Sequence, residues 1–190
     1  MEIPPHLSEF TLPLPAFSQT RPHLTDFVVG GLIFSHSPSD DKPRVLLLQR
    51  AASDAFPGCW EGPGGLVEST DASIVAGVAR EVLEESGLHV CRVVDLVAVD
   101  EWVQLKPDRV HRVAKFTFLV EVEEAQSDVK AGLARWEEGI LLAPEEHQAF
   151  VWATEQEVRE GVEGLERAKY RFVGMQGENL LKAFGMIKKS

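Results

Sequence analysis

The stretch FPGCWEGPGG, residues 56–65, limits most strongly what this chain can become. Four glycines and two prolines in those residues exclude a regular helix or strand. It must be a shaped loop, and its glycines let backbone come close to whatever sits there. Its flanks are regular. RVLLLQR (44–50) and DFVVGGLIF (26–34) are short, apolar, β-branched or aromatic runs that read as strands. The turn-rich SHSPSDDKP between them predicts a hairpin. After the loop, a helix is expected from about Ala72 to Ser86. Thr70 or Asp71 would cap it, and Gly87 would take the left-handed position past its end.

VVDLVAVDEWV (93–103), VAKFTFLVEV (113–122) and AFVWAT (149–154) predict three further strands. Thr154 with Glu157 forms a capping-box pattern for a following helix, and ENLLKAFGMIKK (178–189) predicts a last one. Strands and helices interleaved in this way predict an α/β (α+β) class, a sheet with helices packed on it. The chain has 190 residues, 44% of them hydrophobic, which suits one domain with appendages. Residues 1–24 hold five of the eleven prolines and suit an extended arm better than a helix, ahead of a domain over 25–190.

A net charge of -11 argues against a nucleic-acid polymer as partner, although cations can bridge an acidic protein to a phosphorylated small molecule. The two cysteines, Cys59 and Cys91, have neither metal-site spacing nor the number for a disulfide framework. No apolar run approaches the ~20 residues that span a bilayer, and MEIPPHLSEF lacks the basic and apolar regions of a secretory signal. A cytoplasmic location away from membranes is the default expectation. Oligomeric state stays open.

The predicted helix ends in AREVLEESGL (79–88), with Glu81, Glu84 and Glu85 at the negative end of its dipole. Each such charge costs roughly 0.3–1 kcal/mol. At 100° per residue the three share an arc of about 100°, and Ile74 and Val78 stand on the same stripe below them. The stripe is apolar first and acidic later, as if it left a core and entered a cleft. Taken alone, these ten residues read as an acidic surface helix. With the glycine loop ahead of them, a hard cation such as Mg²⁺ becomes the natural partner, because it turns repulsion among the carboxylates into attraction and bridges to phosphate.

Gly65, five residues, Asp71, eight residues and then Arg80-Glu81-Val82-Leu83-Glu84-Glu85-Ser86-Gly87-Leu88 resembles the Nudix box, G-x5-E-x7-R-E-U-x-E-E-x-G-U. WEGPGG resembles the family's lead-in, and LLLQR and EEHQAFVWATEQEV resemble flanking family segments. The likeness runs from about Phe27 to Val158. One extra residue precedes Arg80, and Asp71 stands where the family usually has glutamate.

The resemblance implies an α/β/α sandwich with a mixed sheet. It also implies a Mg²⁺-dependent hydrolase, with Mn²⁺ as alternative, that cleaves a pyrophosphate bond in a nucleoside diphosphate linked to another moiety. Glu81 and Glu85 would be the principal metal ligands and Glu84 a further one, with a carbonyl of Gly64 or Gly65 completing the set. Arg80 would orient the glutamates. The general base would come from the box, where Glu84 also counts as catalytic, or from a loop outside it, where Glu145 and Glu146 match best and Glu101 is a weaker candidate; Arg50 would contact phosphate or pair with a surface acid. The four tryptophans and the histidines His36, His111 and His147 read as packing or ordinary surface residues. The leaving group would be chosen by the arm and by residues 123–139. A non-catalytic nucleotide-binding or regulatory module on the same fold is the alternative. Isoprenoid diphosphate isomerisation ranks lower, because neither cysteine is obviously poised for it.

Overall fold

A computed structural model describes residues 1–36, 42–107, 109–126 and 136–188. The strands are β1 (Asp26–His36), β2 (Pro43–Arg50), β3 (Trp60–Glu61), β4 (Val90–Leu105), β5 (Val110–Val122) and β6 (His147–Thr154). The α-helices are α1 (Leu14–Gln19), α2 (Ile74–Ser86), α3 (Glu155–Val162) and α4 (Gln176–Ile187). The six strands form one mixed sheet in the order β3-β2-β1-β5-β4, with β6 along the other edge of β2. β1 and β5 run parallel and the remaining pairs are antiparallel.

The hairpin expected between β1 and β2 exists, but it is short. Only Phe34, Ser35 and His36 pair with Val45, Arg44 and Pro43. Before that point β1 gives one edge to β5 and the other to the glycine loop. Val29 N–H donates to the Gly65 carbonyl, Gly31 N–H to that of Pro63, and Val67 N–H to that of Phe27, each at 2.9 Å. Backbone bonds therefore hold the irregular loop against the centre of the sheet.

Helices cover both faces, as a sheet with two apolar faces requires. On one side α2 packs over Val29, Ile33, Leu46 and Phe118 through its buried Ile74, Val78 and Val82. It lies close to β1 because Gly31 has no side chain: a Cβ there would meet Val82 Cγ2 at 2.7 Å. On the other side α3 and α4 bury Val158, Leu180 and Phe184 against Leu32, Leu47 and Leu119. The capping box of Thr154 and Glu157 is formed. No helix among the described residues is long and apolar enough to cross a membrane.

Two local expectations need correction. The cap of α2 is Ser73, whose hydroxyl accepts from Ala76 N–H at 3.3 Å, so the helix starts later than Thr70 or Asp71 would set it. The proline-rich arm is helical, not extended. A 3-10 helix spans Pro5–Thr11 and α1 follows it. Pro5 and Pro15 occupy first turns and Pro4 and Pro13 the caps before them, where a missing N–H costs nothing. The arm is part of the core. Phe10 lies 5.0 Å from the Phe118 ring and 5.4 Å from Phe116, and Phe17 is fully buried beneath the Arg21 guanidinium, 4.1 Å above its ring. Most of the segment 123–139 expected to choose the leaving group lies outside the described residues, as does most of the β1–β2 connection.

Phe17→Ala should cost about 3–5 kcal/mol of folding stability, and Leu12→Ala, at an exposed site of the same arm, no more than about 0.5 kcal/mol. Denaturant unfolding of the two variants checks this.

Candidate active site

The acidic end of α2 faces the glycine loop. Glu81 and Glu85 follow the buried stripe of Ile74 and Val78 inward, and both are buried, 8% and 4% exposed. Glu84 turns outward, with 57% of its side chain exposed. The loop fits closely around them. Gly64 has φ +157, and a Cβ there would lie 2.2 Å from the Val29 carbonyl, so only glycine fits. Its N–H donates to Glu85 Oε2 at 2.7 Å. A Cβ on Gly65 would touch Glu81 Oε1 at 2.7 Å, so the Glu81 carboxylate lies directly against that backbone. The Gly65 carbonyl is engaged by Val29, which leaves Gly64's the freer of the two.

Arg80 is the hub of the outer half. Its Nε and Nη2 fork onto Asp71 at 2.9 and 3.0 Å, Nη1 reaches Glu84 at 2.8 Å and Glu81 at 3.0 Å, and Nη2 also bonds the Leu66 carbonyl at 2.9 Å. Burial works against ionisation of Asp71, but the bonds from Arg80 and from Glu68 N–H hold its carboxyl below the usual range. The residues between Asp71 and Ile74 form a turn ahead of the helix. Asp71 itself lies off the helix and reaches Arg80 from that turn.

The charges that act most strongly on Glu85 are negative, with Lys115 as a positive neighbour. Burial comes first, and the neighbouring Glu81, Glu61 and Glu146 add to it, pushing its carboxyl up to about 9 against the single bond from Gly64. Glu81 is shifted upward too, by burial and then by Glu84 and Glu146, in opposition to Arg80. Oxygen-rich groups that raise one another's pKa in this way fit a hard divalent cation. Oxygens of Glu85 and Glu146 and a ring nitrogen of His147 lie within 4.8 Å of one another.

Of the two candidate bases before β6, Glu146 joins this group and Glu145 does not. Ala51 N–H donates to the Glu146 carbonyl at 2.8 Å and ties that turn to the end of β2. Glu101 lies on the opposite face of the sheet from its neighbour Asp100, near His23 at 3.8 Å. Arg50 points into the molecule. Its guanidinium pairs with Glu61 and with Asp54 (2.6 Å), and its Nε bonds the Ala55 carbonyl at 2.5 Å. Trp60 packs edge-on against Tyr170 and Trp136 against Trp152, while Trp102 is 43% exposed.

Two residues were missed in the sequence. His147 was read as an ordinary histidine, yet it is buried between Glu61 and Glu85. Lys115 on β5 lies over Gly30, 3.2 Å from where a Cβ would be, and burial depresses its pKa despite the attraction of Glu61, Glu85 and Asp100. A single charged residue in the apolar run VAKFTFLV was the available signal for Lys115.

Sheet, flanking helices and the acid-lined glycine loop define a sandwich protein with buried carboxylates gathered at one helix end, a donor set that fits a hard cation. Residues 31–173 match the NUDIX domain, and the chain belongs to that family. No curated protein matches the chain by sequence. Among solved structures it is similar to a MutT protein from Methanosarcina mazei Go1 (23% identity, 87% of this chain and 96% of that one, TM-score 0.56). It is also similar to a C. elegans Ap4A hydrolase (16% identity, 87% and 100%, TM-score 0.54). A third is the NUDIX domain of Shewanella oneidensis NrtR, complexed with ADP ribose (15% identity, 85% and 87%, TM-score 0.54). At these identities the likeness is one of fold.

Because the folded state raises the Glu85 pKa, its contribution to stability is complete below the ordinary value of 4.5 and is lost as pH climbs toward about 9. Thermal melts of the cation-free protein should therefore fall across that window. Glu85→Gln or added divalent cation should flatten the decline relative to the parent.

Proposed function

We propose that this protein hydrolyses a pyrophosphate bond in a nucleoside diphosphate linked to another moiety, with a divalent cation, Mg²⁺ or Mn²⁺, as cofactor. The observation that carries the reading is the pair of buried carboxylates, Glu81 and Glu85, packed against the Gly64–Gly65 backbone without enough positive charge to balance them. Glu81, Glu85 and the Gly64 carbonyl would hold the cation, with Glu146 beside them. Bound there, the ion supplies charge neutralisation on the phosphates and a lowered pKa for water.

The chain's own groups do the rest. Gly64 N–H fixes the rotamer of Glu85. Arg80, anchored by Asp71, restrains Glu81 and Glu84 and so acts by positioning. The exposed Glu146 carboxylate, at the cleft edge, is the group suited to take the proton from the attacking water. Glu84, held outward by Arg80, is available to a further cation at the mouth. Arg50, satisfied by Glu61 and Asp54, orders the floor. The phosphorylated substrate is a small molecule, since an overall charge of -11 disfavours a nucleic-acid polymer. Two unpaired cysteines suit a reducing, cytoplasmic setting.

The test is a panel of nucleoside triphosphates, nucleotide sugars, dinucleoside polyphosphates, dinucleotide cofactors and CoA with Mg²⁺ or Mn²⁺, reading released phosphate or pyrophosphate. Turnover of at least one class, abolished in Glu85→Gln with the fold intact, is the expected result. Tight binding with no turnover across the panel would sink the hydrolase reading and favour a binding module. Arg80→Lys, which keeps the charge but loses the fork onto Asp71, should cost about 10–100-fold in activity or cation affinity.

A further inference from the structure

Among the described residues the imidazole of His147 has no hydrogen-bond partner at either nitrogen, although the side chain is only 2% exposed. Native interiors rarely leave such atoms unmatched, and a group of this kind calls for an explanation. Its nearest polar neighbours are two carboxylates. Nε2 stands 3.6 Å from Glu61 Oε1 and Nδ1 3.8 Å from Glu85 Oε1, both beyond hydrogen-bonding distance.

The backbone puts the ring there deliberately. Along β6, Phe150 and Trp152 pack on the α2 side of the sheet, while Ala149 and Val151 pack on the α3–α4 side. Strict alternation would send His147 with Ala149. The register shifts at this point, with Arg50 opposite His147 but Gln49 opposite Ala149, so Gln148 is an extra residue. A bulge of this kind re-aims a side chain, and here it turns His147 toward α2 and Glu85.

We propose that His147 is a nitrogen ligand to a divalent cation. With Glu85 and Glu146 it makes a mixed imidazole–carboxylate position that favours a first-row transition ion over Mg²⁺. The inference rests on the reading that these carboxylates hold a cation. A separation of 3.8 Å is too long for a hydrogen bond, but it suits two ligands that each stand roughly 2.0–2.2 Å from one shared ion. The opposite ring nitrogen faces Glu61, which Arg50 holds in turn. Metal-binding histidines are typically oriented in this way, with a carboxylate behind the nitrogen that does not ligate. Imidazole suits transition ions, whereas Mg²⁺ prefers an all-oxygen shell.

The experiment uses the full chain, stripped with chelator and reloaded with Mn²⁺, and reads pulsed electron paramagnetic resonance. A nitrogen coupling on bound Mn²⁺ is expected, and it should change to the ¹⁵N pattern when the protein is grown with ¹⁵N-histidine. His147→Gln should abolish that coupling and weaken Mn²⁺ binding about 10–100-fold, with a smaller change for Mg²⁺. The labelling arm needs no variant, so it holds even if the substitution disturbs folding. Mn²⁺ bound without nitrogen coupling would overturn the role of His147 and leave the hydrolase reading standing. Failure of the parent to bind either ion would overturn both.

Discussion

Crowding of carboxylates around the Gly64–Gly65 backbone is the constraint that organises the rest of the structure. Glu81 and Glu85 lie beside one another, buried, with Glu146 close enough to act on the ionisation of both and Glu61 on that of Glu85. Such an arrangement is costly to bury without compensation. The fold contains the cost by dividing the acids. Arg80 takes Asp71, Glu84 and part of Glu81, and Arg50 takes Glu61 and Asp54. Glu85 is left with one backbone N–H, so an outside cation has the largest effect at that carboxylate.

Much of the architecture was readable because it depends on periodicity and punctuation. Strands such as RVLLLQR announce themselves by β-branched and apolar runs. The Thr154–Glu157 cap needs only the right residues three apart, and the acidic stripe of α2 follows from helical geometry. What failed has physical reasons too. Prolines in residues 1–24 suggested extended backbone, but proline is equally at home in a first helical turn. Tertiary partners such as Phe116 and Phe118 decide between the two. Ser73 displaced the expected cap because neighbouring Thr, Asp and Ser are comparably competent caps, and composition alone does not choose among them.

His147 shows a different limit. Its orientation depends on Gln148 being looped out opposite the end of β2, and a bulge leaves no mark in a single sequence. Alternation along AFVWAT would even have pointed the wrong way. Lys115 was missed for a related reason. A charge within an apolar run reads as a solvent-facing residue of a half-exposed strand, and only the sheet order reveals that this strand lies inside, flanked by β1 and β4.

The arm's contacts reach beyond packing into the order of assembly. Phe10 and Phe17 leave the ribosome about a hundred residues ahead of Phe116 and Phe118, the rings of β5 that enclose them. Until β5 is complete and docked beside β1, that side of the hydrophobic interior has no closed form. Until then the arm must wait as an open, amphipathic stretch. Closure between such distant points is slow compared with local helix formation. The arm is thus among the last parts to find its place, and it seals the α2 face only after the strand beneath it exists.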